Sequence, residues 1–176
     1  MRSIKGVILA LAGLFIVITL FSLLMPSRVM TVRTVVIHGS KEQVFAEISD
    51  LQKWKRWHPV FIQDSGSAMH ISEPSSGANA YAKWSSNGKE NKLLITEVMP
   101  NQLKATLMRA GENDAMNIIS VTALKDSNNV EAEWRVVTKL KWYPWEKFSG
   151  IFIDKITGPG YEAALNNLKE LIEGKQ

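Results

Sequence analysis

The chain has 176 residues, with 21 basic and 17 acidic side chains and no cysteine, so it can carry neither a disulfide framework nor thiolate chemistry. Beyond residue 27 lie 19 basic and 17 acidic side chains, a net charge of +2. With no Lys/Arg run longer than two residues, that excess is no nucleic-acid footprint and implies at most a weak attraction to anionic lipid headgroups.

Val7 to Met25 (VILALAGLFIVITLFSLLM) holds no charge, proline or amide, and thirteen of its nineteen residues are Val, Ile, Leu or Phe. At about 1.5 Å per residue such a helix reaches about 28 Å, close to the hydrocarbon core of about 30 Å. Pro26 bounds it. An uncleaved membrane anchor over residues 1–27 is the expected reading. A cleaved signal has a core of about 7–15 residues and a small-residue cleavage site, and Leu23, Leu24 and Met25 offer no such site. The basic flanks are nearly balanced: Arg2 and Lys5 before the span, Arg28, Arg33 and Lys41 after it. A short tail before a first span tends to stay cytosolic, so residues 28–176 are expected on the extracytoplasmic side of a plasma or inner membrane.

Met30 to His38 alternates and is β-branched, which predicts a strand ended by Gly39. Ser40 and Gln43 have capping-box spacing, and Val44, Phe45 and Ile48 share a helical face. Asp50 ends this helix or caps a second short one carrying Leu51, Trp54 and Trp57, closed by Pro59. Six strands follow, separated by turn residues: Ala68 to Ser72, Ala80 to Ser85, Lys92 to Met99, Leu103 to Arg109, Ala115 to Leu124 and Val130 to Leu140. Consecutive short strands with tight turns predict an antiparallel meander. Trp142 to Trp145 reads as a loop, Lys147 to Ile156 as a helical lead-in, and Gly158-Pro159 as the start of a helix. Tyr161, Leu165, Leu168 and Ile172 then form one apolar stripe. The order β-αα-β(six)-α predicts an α+β domain.

The dry faces of these strands and the last helix must meet. Large and flexible residues among them (Trp84, Met108, Met116 and Trp134) can line a void as well as fill one. Phe152 and Ile156 of the lead-in join them as expected cavity-lining, ligand-binding residues.

Three stretches carry a family resemblance: Lys41 to Pro59, with its Trp54-x-x-Trp57-x-Pro59 spacing; Ile95 to Leu107, a strand pair joined at Pro100-Asn101; and Asp154 to Leu171. Their order over residues 30–174 resembles the START-like or SRPBCC superfamily, in particular its polyketide cyclase/dehydrase-type members, here behind an N-terminal membrane span. The resemblance implies a helix-grip fold, in which a seven-stranded antiparallel sheet wraps a long C-terminal helix around an internal cavity. It further implies binding of a hydrophobic, lipid-like small molecule, with cyclisation or dehydration in the cavity as the alternative. It supplies no fixed catalytic set and no cofactor for this chain.

Isolated residues add little chemistry. His38, His58 and His70 show no ligand spacing, so no metal is expected. Ordinary surface or hydrogen-bonded roles are expected for all three, His70 being the one a cavity could use as a base. Glu131 and Glu133 lie about 7 Å apart on one strand face, where Arg135 and Lys139 make a solvated charge ladder the simpler reading. Trp54 and Trp57 either clasp the sheet or gate the cavity. Trp142, Tyr143 and Trp145 either close the cavity, dock on a membrane interface, or contact a protein partner. The partners expected are therefore a lipid bilayer and a hydrophobic small molecule, with no nucleic acid; a ligand-free interaction module is the third reading.

Overall fold

The structure is a computed structural model and describes residues 2–63, 69–125 and 128–174. Ala68, at the start of a predicted strand, lies outside the described residues. Helix α1 (Arg2–Leu23) carries the apolar run; 20 of its residues, Ile4–Leu23, have a mean hydropathy of 2.7 and are long and apolar enough to cross a membrane. It ends at Leu23, two residues before the sequence boundary at Met25, in a turn in which Leu24 and Met25 donate to Phe21 and Ser22.

Seven strands follow: β1 (Arg28–His38), β2 (His70–Ile71), β3 (Tyr81–Ser86), β4 (Lys89–Met99), β5 (Gln102–Arg109), β6 (Ala115–Ala123) and β7 (Asn129–Lys139). They form one sheet in the order β1-β7-β6-β5-β4-β3-β2, every neighbour antiparallel. The β3–β4 hairpin turns at Asn87 and Gly88, both at positive φ (51° and 72°), as a two-residue turn requires. A bulge between Ile95 and Glu97 bends β4.

One long connection joins the two edge strands. Helix α2 (Lys41–Ile48) is capped by Ser40, whose hydroxyl accepts from the Gln43 amide. A 3-10 turn (Lys53–Arg56) and helix α3 (Pro59–Gln63) follow, with Asp50 Oδ1 accepting from Gln52 N and Ser75 Oγ. The last helix, α4, runs unbroken from Pro144 to Glu173.

This corrects the expected helix start. Pro144, not Pro159, stands at the first helical position, and Pro159 lies inside the helix. Proline removes one backbone donor in a helix interior, which reads in sequence as a boundary. Here the packing of both halves on β1 and the core overrides it. The stripe expected of the second half is present: Leu165 and Leu168 are buried, with Tyr161 and Ile172 packed against the same core.

The core lies between the concave sheet face and the helices. On β7 alternate residues make a dry face, with Val130, Ala132, Trp134 and Val136 buried. Ile119 and Val121 of β6 and Leu103 and Ala105 of β5 continue it.

Candidate functional site

A cavity of about 500 Å³ lies between the sheet, α3 and the middle of α4. Strand register builds its floor. Trp84, Asn91 and Arg109 form one row across β3, β4 and β5; Ala82, Leu93 and Leu107 form the next. Trp134 of β7 and Asn117 of β6 meet on the same face, and the indole Nε1 donates to Asn117 Oδ1 at 3.0 Å. Asn117 in turn donates to the Ala115 carbonyl at 2.9 Å, so this buried amide is held in one orientation.

The connection between the edge strands supplies the aromatic wall. Trp54 packs on Trp57 (5.0 Å between ring centroids), His58 (5.2 Å), Phe61 (5.3 Å) and Trp134 (5.6 Å). Trp54 Nε1 is satisfied by the Ile48 carbonyl at 2.8 Å, and Asn167 of α4 donates to the Trp57 carbonyl at 2.9 Å. Both Trp54 and Trp57 are buried, so they clasp the sheet and do not form an exposed gate.

The polar groups are few. Burial lowers the His58 pKa from 6.5 to about 3, with a hydrogen bond to its own backbone opposing, so the ring is neutral at physiological pH. Its Nδ1 is buried with no partner on another residue. Arg109 pairs with Glu112 at 3.0 Å while its Nε is buried without an acceptor. Burial raises the Tyr161 phenol above its usual range, partly offset by Arg109. A second cavity of about 350 Å³ shares Arg109, Ile156, Thr157 and Tyr161 with the first. Both therefore meet where Arg109 approaches α4.

Of the residues expected to line a cavity, Trp84, Trp134 and Ile156 do so. Met108 and Met116 do not. They lie opposite Lys92 and Thr106 on the outer sheet face, where Met116 is well exposed. Phe152 projects from the outer side of α4 and lines neither cavity. The inner row instead brings in Leu107, Arg109, Asn91 and Asn117, together with His58 and Tyr161. For Leu107 and Arg109 the signal was in the sequence, since strict alternation from Leu103 reaches both and skips Met108.

His70 is exposed, stacked on Tyr81 (5.7 Å), and outside the cavity. His38 is exposed and bonded to Asn129 Oδ1. Glu133 pairs with Arg135 at 2.7 Å on the outer face, as a charge ladder requires. Trp142 and Trp145 line neither cavity, so they do not close it. Among the described residues no cluster of His, Cys, Asp or Glu could hold a metal ion.

No protein-family model matches the chain. No curated protein matches it either. Solved structures do. A START superfamily protein from Mycobacterium smegmatis is 15% identical over 84% of this chain and 99% of its own, with a TM-score of 0.61. A solution structure from Thermobifida fusca is 16% identical over 81% of this chain and 92% of its own, at 0.60. A protein of the dynemicin biosynthetic locus is 13% identical over 84% of this chain and 48% of its own, at 0.56.

Proposed function

With the START-superfamily helix-grip fold as premise, we propose that this chain is a membrane-tethered binding module for a hydrophobic, lipid-like small molecule held between sheet and α4. The observation that carries the reading is the cavity of about 500 Å³, walled on one side by Trp54, Phe61, Trp84 and Trp134, with Arg109 as the charged side chain among its lining residues. Ligand pockets of about 300–1,000 Å³ that are mostly apolar with a few polar groups bind small molecules. Burying each methylene contributes about 0.8 kcal/mol, so a ten-carbon chain gains about 8 kcal/mol before the cost of immobilising it. Arg109 is placed to meet a polar end, and Trp54, Phe61 and Trp134 to meet the chain. The tether is α1, four residues from β1.

A cyclase or dehydratase needs a proton-transfer group near its working pH. His58 is the imidazole of the larger cavity, and at a pKa of about 3 it is a weak base near neutrality, while burial pushes the Tyr161 phenol up, further from neutrality. No carboxylate lines that cavity among the described residues. Binding is therefore preferred to catalysis.

The test is uptake of a fluorescent fatty acyl or isoprenoid probe by the delipidated full chain. Saturable binding is expected, abolished by Leu107→Trp, which fills the space, while far-UV circular dichroism stays native. No uptake by the unmodified chain overturns the reading.

A further inference from the structure

The first half of α4 is inverted relative to a helix that faces water. The residues it buries between Lys147 and Gly158 are Lys147, Gly150 and Gly158, small or charged, with Asp154 at the edge of that side pairing with Arg33 of β1. A side chain at Gly158 would strike the Arg33 guanidinium, and one at Gly150 would strike Leu140, so the helix lies close on its neighbours. Its outer side carries Trp145, Phe148, Ile151, Phe152 and Ile156, which are 42–76% exposed. A surface helix in water places its apolar residues on the packed side. The second half of α4 obeys that rule, with Leu165 and Leu168 inside and Glu162, Asn166 and Glu170 outside.

Two further observations name what covers the outer side. The first is position. Lys147 is buried, and its ammonium donates to Ser27 Oγ (2.7 Å), the Pro26 carbonyl (3.2 Å) and the Met25 carbonyl (3.4 Å). Ser22 in the last turn of α1 is buried as well. The apolar stripe thus begins where the chain leaves its candidate span. The second is charge. The acidic residues of this half are paired with neighbouring elements and lie off the apolar side: Glu146 accepts from Asn113 (2.6 Å) and the half-exposed Asp154 pairs with Arg33 (3.0 Å). The charged residue left among the exposed apolar ones is Lys155, whose long stem can reach a headgroup. Apolar bulk, two exposed tryptophans and a basic residue are the composition of a helix lying in a membrane interface.

We propose that Trp142 to Ile156 lies in the interface of the leaflet that α1 enters, with Trp142, Trp145, Phe148, Phe152 and Ile156 immersed at the headgroup–acyl boundary. This rests on the reading of α1 as a span. Ile156 and Thr157 also border both cavities. The cavity edge thereby sits at the bilayer, and an apolar ligand passes between the two without crossing water.

The absence of cysteine makes the test clean. Single cysteines at Phe148, Phe152 and Ile156 in the full chain are spin-labelled and reconstituted in vesicles of phosphatidylcholine and anionic phosphatidylglycerol. Oxygen and a water-soluble nickel chelate then compete as relaxants, with Leu14→Cys as the lipid reference and Glu170→Cys as the water reference. The three α4 labels should favour oxygen over nickel by several-fold relative to Glu170→Cys. Labels on α4 that read like Glu170→Cys while Leu14→Cys reads lipid overturn the docking and leave the anchor standing. If Leu14→Cys also reads water, the anchor and the docking fall together. Spin–spin broadening that disappears on dilution with unlabelled protein assigns the stripe to a second copy and overturns the proposal. Should a label disturb folding, quenching of Trp142 and Trp145 by brominated acyl chains asks the same question of the unmodified chain. Quenching lost in the Trp142→Tyr/Trp145→Tyr double variant supports docking, and its absence in the unmodified chain refutes it. Probe uptake in the same vesicles reports the ligand cavity separately.

Discussion

Replacing His58 by Phe should remove a large part of the protein's sensitivity to acid. The folded chain holds His58 at a pKa of about 3 because burial penalises the imidazolium, whereas the unfolded chain returns it to 6.5. Between those values the unfolded state carries one proton more than the folded state. Stability therefore falls as pH drops through this window, by about 1.4 kcal/mol per pH unit. Unfolded-state protonation is slight at pH 7 and nearly complete at pH 5, so the loss over that interval is about 2 kcal/mol. Phenylalanine has a similar ring, keeps the contacts with Trp54 and Trp134, and carries no proton. Asp154, which Arg33 holds below the ordinary carboxylate range, also loses stabilisation as acid protonates it. That contribution is common to both proteins and cancels in their difference. Equilibrium urea unfolding of the two full-length proteins in detergent at pH 7, 6 and 5 measures the difference. Its expected change is about 2 kcal/mol in favour of the variant at the lower pH. Parallel curves would mean that the cavity hydrates the ring, and the desolvation argument would be wrong.

Asn117→Ala strips the acceptor from the buried Trp134 indole and should cost about 1–3 kcal/mol in the same unfolding assay. Lys147→Met leaves the Met25 and Pro26 carbonyls without their ammonium donor; trypsin cleavage after Arg28 should accelerate several-fold, and an unchanged rate would show that the contact does not hold the linker. Pro159→Ala restores a backbone donor inside α4 and should raise stability by about 1–3 kcal/mol. A helix that began at Pro159 would instead lose a favourable first residue, so a destabilised variant would contradict a continuous α4.

Much of the architecture was legible because its signals are local and repeated. The β-branched run of β1, the strand at Val130 to Leu140 and the Tyr161–Leu165–Leu168 stripe each carry their signal locally, and each stands where expected. The cavity lining was harder. Strand β6 is apolar on both faces, so hydrophobicity alone selected Met116 and passed over Asn117, whose partner Trp134 lies on another strand. Met108 beside Leu107 is the same difficulty on β5: choosing by size picks the wrong parity. His58 looked like a residue before a proline. Its environment is made by Trp54, Trp57, Phe61 and Trp134, which tertiary packing alone brings around one ring. Pro159 misled for the opposite reason, since the local rule was sound and long-range packing overrode it. The aromatic cluster Trp142 to Trp145 at the start of α4 was visible, but Phe152 was assigned to the cavity, because which side of the helix it occupies depends on Gly150 and Gly158 packing inward.

The central claim is that the cavity holds a lipid-like molecule. Native mass spectrometry of the full chain, extracted in mild detergent and released in the gas phase, tests it most directly. An adduct of lipid-like mass at one per chain is expected, absent from Leu107→Trp. Only the bare chain mass under conditions that retain a known lipid on a control membrane protein would contradict it.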